Sequence, residues 1–190
     1  MKYILPVIII VLAALSIYFG AYTPLVKARN FVSGLRGVSF IQSVQDFKEN
    51  FDPALEFPSP IGDEEILRFL GSDLVSTLSS PQNPVTEEAA RTLVEYLEEK
   101  LIKDDTRHLI ILGQLYGTLW QRYGNESDFE KSEQYLLKAR ELGPKLPPVL
   151  LPLFDLYQKK GDAEGVRDVG GEILRYWPGE GFVKEALGDL

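Results

Sequence analysis

The chain carries one histidine and no cysteine, so the residues able to do covalent or metal chemistry are few. His108 has only Asp104 and Asp105 nearby. A general base needs an orienting partner and a pocket, and a zinc site needs several nitrogen or sulfur ligands. The sequence therefore points to no catalytic residue, no metal site and no cofactor. The other acidic groups have plainer readings. Asp63, Glu64 and Glu65 stand where a helix N-terminus favours negative charge, and Glu95, Glu98, Glu99 and Lys100 read as a solvated helix face. Gly179-Glu180-Gly181 lacks the strand and helix that flank a phosphate loop. Asn125-Glu126-Ser127 matches a short glycosylation sequon.

What remains is contact chemistry. Trp120 and Tyr123 are candidates for an exposed aromatic patch. Arg107, Gln114 and Thr118, with Asp155, Gln158 and Lys159, fall on helix faces turned away from the apolar positions Leu109, Leu112 and Tyr116. They are the candidate lining of a partner-binding groove.

Those side chains must be presented by helices. Phe40, Val44, Phe47 and Phe51 recur on one helical face, Ile66, Leu67, Phe69, Leu70, Leu74, Val75 and Leu78 keep a helical rhythm, and Ala89, Ala90, Leu93, Val94, Leu97 and Leu101 form a stripe. Thr86 reads as an N-cap. No convincing alternating strand pattern appears, so the fold class is all-α. The organisation reads as a transmembrane anchor (1–22), a juxtamembrane helical segment with a Pro-rich linker (23–60), a helix pair (61–104), two repeats (105–178) and a capping helix (179–190).

The anchor rests on twenty uncharged residues from Tyr3 to Tyr22, about the number that spans a hydrocarbon core of roughly 30 Å. Cleavage of a secretory signal after Ala21 or Gly20 would need a small residue where Phe19 or Tyr18 stands. The expectation is a single-pass membrane protein touching lipid through residues 3–22. Lys2, Lys27, Arg29 and Arg36 flank the span and leave its orientation open. Ser16 and Gly20 form a small-xxx-small pair suited to helix packing within the membrane. Net charge is −8, which disfavours nucleic acid as a partner.

The last third resembles the tetratricopeptide repeat family. Leu109-x2-Leu112-Gly113-x2-Tyr116, then Ser132, Leu136, Ala139 and Pro144, follow its pattern. So do Leu150-x2-Leu153-Phe154-x2-Tyr157, then Val166, Ile173 and Pro178, and the two prolines lie 34 residues apart. The first unit is longer by about seven residues around Leu119 to Glu126, and the second has Phe154 where Gly is usual and Gly170 where a bulky residue is expected. The resemblance implies an α-solenoid that buries Tyr116, Leu136, Ala139, Leu153, Tyr157 and Ile173 between helices.

More loosely, Pro24, Leu25, Ala28, Arg29, Phe47, Ala54, Leu55, Gly62 and Glu65 resemble the tail of O-antigen polymerase/ligase-like membrane proteins. The multispan core that would carry glycosyl transfer in that family has no counterpart here. Together these readings imply a membrane-anchored protein–protein scaffold rather than an enzyme. The alternative is a structural accessory subunit of a multispan assembly, related to cell-envelope polysaccharide and held through its transmembrane helix.

Overall fold

The computed structural model describes residues 3–37, 43–82 and 85–188. Lys2, Phe40, Asn83 and Pro84, and the last two residues of the capping segment, lie outside the described residues. Among those described, every regular element is helical and no strand occurs. The chain divides into two compact units, residues 1–69 and 70–190. The division falls inside a helix, not at the expected proline-rich linker.

In the first unit the apolar helix does not stop at Tyr22. Helix α1 (Ile4–Ile17) passes through one wide turn (Tyr18–Tyr22) into α2 (Thr23–Gly37), giving 34 unbroken helical residues. Pro24 explains the wide turn. Its ring would collide with the Gly20 carbonyl of a regular helix, and it has no N–H to offer that carbonyl. Widening relieves the collision: the Thr23 amide reaches back to Tyr18 O, and the Thr23 hydroxyl donates to Phe19 O at 3.4 Å. This helix is long and apolar enough to cross a membrane, as is a signal sequence.

Helix α3 (Val44–Leu55) packs on α2. It begins at Val44 because Ser43 and Asp46 form a capping box, each side chain taking the other's backbone N–H. Gly34 permits the contact, since a Cβ there would lie 2.5 Å from the Asn50 carbonyl oxygen. Phe31 meets Phe51 and Phe69 with ring centroids 6.1 and 5.7 Å apart. Lys27, expected as a flanking cation, is instead buried, with 1% exposure. Its ammonium donates to Phe57 O at 2.8 Å and pairs with Asp63, the residue that opens α4 (Asp63–Ser79).

The second unit takes over within α4. It continues through α5 (Glu87–Lys100), α6 (Thr106–Tyr123), α7 (Glu126–Leu142), α8 (Pro147–Lys160), α9 (Ala163–Tyr176) and α10 (Gly181–Gly188). From α5 onward each helix packs on the next, and α8 also returns to α6. The extra length of the first repeat is spent in α6 and α7, which run 18 and 17 residues against 14 each for α8 and α9. Thr86, Asp105, Asn125 and Asp162 cap α5, α6, α7 and α9 with their side chains. Asn125, the sequon residue, thus starts α7 three residues before Asp128.

The core is continuous from α7 to α10, with Leu136, Leu153, Phe154, Tyr157, Val169, Ile173 and Val183 buried together. Ala139 packs with Leu109 and Val149. The two departures from the repeat pattern prove to be one event. Between α6 and α7 a small residue on the first helix faces a large one on the second: a Cβ on Gly113 would lie 2.5 Å from Leu136 Cγ. Between α8 and α9 the sizes are exchanged, and a Cβ on Gly170 would lie 2.9 Å from Phe154 Cε2. The phenylalanine ring occupies the space that the glycine leaves open.

This exchange predicts coupled energetics. Gly170→Leu should overpack by about 1–3 kcal/mol, and Phe154→Ala should open a cavity costing about 3–5 kcal/mol. The double variant should lose less than the sum, by at least about 0.5 kcal/mol, in urea unfolding of the detergent-solubilised chain. Strict additivity would show that the two residues do not share a space.

Candidate functional site

The groove expected between repeats begins with two glycines on α6. Gly113 and Gly117 let α7 lie close, and Ser132 Oγ, fully buried, donates to the Gly113 carbonyl at 2.7 Å. Gly113, Gly117, Ser132 and Leu136 also line a cavity of about 300 Å³. Its other walls come from α4 (Val75, Ser79), α6 (Gln114, Thr118, Gln121) and α8 (Leu151, Pro152, Asp155, Lys159). A neighbouring hollow of about 520 Å³ shares Ser79, Thr118, Gln121 and Lys159 and reaches Pro81 and Arg122.

Four of the six expected groove residues therefore converge: Gln114, Thr118, Asp155 and Lys159. Two do not. Arg107 is exposed and bound to Asp105, the residue that caps α6. Gln158 lies on the exposed face of α8 and does not line the cavity. The chemistry of the groove is neutral and amide-rich. Asp155 and Lys159 satisfy each other at 2.7 Å, and the Thr118 hydroxyl donates to Gln114 O at 2.8 Å. The primary amides of Gln114 and Gln121, both in the lining, each offer two donors and an acceptor.

The expected aromatic patch is not exposed as such. Trp120 is half-buried against the α7–α10 core, edge-on to Phe129 at 5.2 Å, with the Lys160 ammonium 5.6 Å from its ring centroid. Tyr123 is half-buried and donates its hydroxyl to Val85 O at 3.1 Å. Both lie in the last turn of α6. Ser16 and Gly20 are exposed on the apolar helix, and nothing lies within 4 Å of where a Gly20 Cβ would stand. His108 is buried, and its Nδ1 accepts the Ile102 N–H at 3.1 Å, closing the turn between α5 and α6. Among the described residues no three His, Cys, Asp or Glu side chains gather to hold a metal ion.

A polar network not foreseen from the sequence lies elsewhere in this unit. Glu98 is not a solvated surface acid. Its side chain is only 16% exposed, and the hydroxyls of Tyr116 and Tyr135 both donate to its carboxylate. Lys131 donates to the Tyr116 hydroxyl at 2.9 Å, and Lys103 lies 3.3 Å from Glu98. Burial works against the Glu98 charge, but the two hydroxyls and Lys131 outweigh it and hold the carboxyl below the ordinary glutamate range. Burial and the adjacent carboxylate push both tyrosine hydroxyls far above the usual value.

The arrangement recurs. Tyr157, at the repeat position of Tyr116, donates to Glu133 Oε1 at 2.8 Å. Each first-helix tyrosine thus bonds a glutamate of the helix before it. Nearby, buried Asp128 on α7 receives both guanidinium arms of Arg91 from α5 at 2.9 and 2.8 Å. The one sequence signal for these partners is the 35-residue interval from Glu98 to Glu133, nearly the repeat period.

No protein-family model, curated protein or solved structure matches the chain.

The Glu98 network carries a pH signature. A depressed carboxyl stabilises the fold above its unfolded pKa, near 4.5, and that contribution fades as pH falls through the lower folded value. Glu98→Gln should cost about 1–3 kcal/mol at neutral pH. Its deficit against the parent chain should shrink when urea midpoints are measured at successively lower pH, below the ordinary glutamate range. A deficit that stays constant down to the lowest pH would mean that Glu98 is not held charged.

Proposed function

We propose that the second unit is a short tetratricopeptide-like solenoid that holds a polypeptide segment in the groove between α4, α6 and α8. The proposal includes an anchor, in which the apolar helix crosses a membrane and makes the chain a single-pass scaffold. One observation carries the reading. Apart from Ser132 and Leu136 of α7, the cavity lining comes from α4, α6 and α8, the alternate helices on which a helix-pair solenoid would present its concave surface. The exchanged Gly/large packing and the recurring tyrosine–glutamate bonds support a repeated unit.

The groove residues fit this use. A neutral lining with paired Asp155 and Lys159 favours an uncharged stretch of polypeptide over a phosphate or a terminal carboxylate. Amides from α6 supply hydrogen bonds, and Val75, Leu151 and Pro152 supply apolar contact. Nothing in this lining is a nucleophile beside a base, so the reading is of a binding module.

A second reading has its own support. Ser16 and Gly20 lie exposed and unopposed along α1, and small residues let transmembrane helices approach closely. In that reading the span joins a multispan assembly as an accessory subunit, and cell-envelope polysaccharide machinery is one such setting.

Site-specific photocrosslinking in the full chain separates the two. A photoreactive side chain at Thr118 should capture a protein partner, and one at Gln158 should not. Replacing Gln114, Asp155 and Lys159 together by Ala should change stability by no more than about 0.5 kcal/mol per site while lowering capture at least tenfold (about 1.4 kcal/mol). Capture that survives this change but vanishes when the order of residues 4–22 is scrambled would transfer the association to α1.

A further inference from the structure

The juxtamembrane helix has a face that the fold leaves uncovered. Leu25, Ala28, Arg29, Val32, Ser33 and Arg36 are the exposed residues of α2 whose spacing, three or four apart, puts them on one side. They also line a common shallow surface depression. The opposite side, with Lys27, Phe31 and Gly34, is occupied by α3 and the chain that leads to α4. On the open side Leu25 is 51% and Val32 46% exposed. Neither Arg29 nor Arg36 has an ion pair among the described residues, and the face carries no carboxylate.

We infer that this face is a binding site for net-anionic phospholipid headgroups, an inference that rests on α1 crossing the membrane as proposed above. Three observations select this occupant. First, the burial of Lys27 against Phe57 O and Asp63 removes it from the lipid boundary. From Tyr3 to Ala28 the helix then shows no exposed charge, and Arg29 is the first cation to meet the interface. Second, α2 is the unbroken continuation of α1, so its exposed face is continuous with the surface that lipid would cover.

Third, side chains on a helix lean toward its N-terminus. On a helix that leaves the bilayer from N to C, Arg29 and Arg36 therefore lean back toward the headgroups, with their stems beside Leu25 and Val32. Two guanidinium forks with no ion pair among the described residues match phosphate oxygens. They sit on a chain whose overall charge is −8, so the attraction is local to this face. An amphipathic, carboxylate-free strip next to a span has the composition of a membrane-contact surface.

The test uses the full chain reconstituted in vesicles of phosphatidylcholine and phosphatidylglycerol. Alkaline carbonate extraction first reports whether the chain is an integral membrane protein. If it is released, the anchor reading fails, and this inference with it. For the integrated protein, mild detergent solubilisation followed by mass spectrometry of retained lipid should show enrichment of phosphatidylglycerol over phosphatidylcholine.

Arg29→Gln with Arg36→Gln should cut that enrichment by a factor of roughly 10 to 30, about fivefold per cation. The Lys/Lys variant should keep it, as should Arg175→Gln, an exposed cation of the second unit. Excess glycerophosphate in solution should not displace the lipid, because the exposed Leu25 and Val32 add contacts that only a lipid fills. Equal retention of both lipids by the integrated protein would overturn the inference. So would enrichment that survives the double Gln substitution.

Discussion

A tyrosine ring driven into a helix interface takes its hydroxyl with it, and that hydroxyl must find an acceptor. In the second unit this need is met twice in the same way. Tyr116 bonds Glu98 and Tyr157 bonds Glu133, so each first helix is fastened to the helix before it by a charge-assisted bond. Apolar stripes bring helices together without fixing their register, whereas a buried hydroxyl aimed at one carboxylate does fix it. Arg91 and Asp128 add a second fixed point between α5 and α7. The cavity depends on these ties. Through α5 and α7 they link two of its walls, α6 and α8, and Arg122 of α6 bonds the third, α4, at the Leu78 carbonyl.

Helix existence and burial were legible in the sequence because periodic apolar residues report which face is turned inward. Leu97, Leu112, Leu136, Ala139, Leu153 and Ile173 are buried as their spacing requires. Polar partners were not legible. Nothing near Glu98 in sequence distinguishes it from Glu95 or Glu99, since its partners lie 18 and 37 residues away. The same blindness misplaced Lys27, which reads as a flanking cation until Asp63, 36 residues on, is folded onto it. Trp120 and Tyr123 read as exposed because the longer first repeat had no template to say what its extra turn packs against.

The candidate groove was legible in part, and the partition has a physical reason. Gln114 and Thr118 lie on the face of α6 opposite its apolar stripe, and Asp155 and Lys159 share one face of α8, so helical geometry alone brings them together. Arg107 stands outside the cavity, in the first turn of α6, where it pairs with the capping acid Asp105. Gln158 stands outside it because one residue along a helix turns the side chain by about 100°. Gln121 and Pro152 were passed over. A glutamine near a helix end and a proline within a helix look local in sequence, yet both line the cavity.

The wide turn at Tyr18–Tyr22 keeps the long helix unbroken through Pro24, and so no hinge separates the apolar stretch from the first unit. The two form one shaft of about 50 Å keyed to α3 and to Asp63 by Lys27, Asn30 and Gly34. Any tilt or axial rotation of the apolar segment is carried undiminished into that unit. Angular phase, rather than tether length, then governs what the unit faces. A single residue inserted between Tyr22 and Thr23 would lift it by only about 1.5 Å but turn it by about 100°. The number of residues in this shaft thus sets a direction as well as a length.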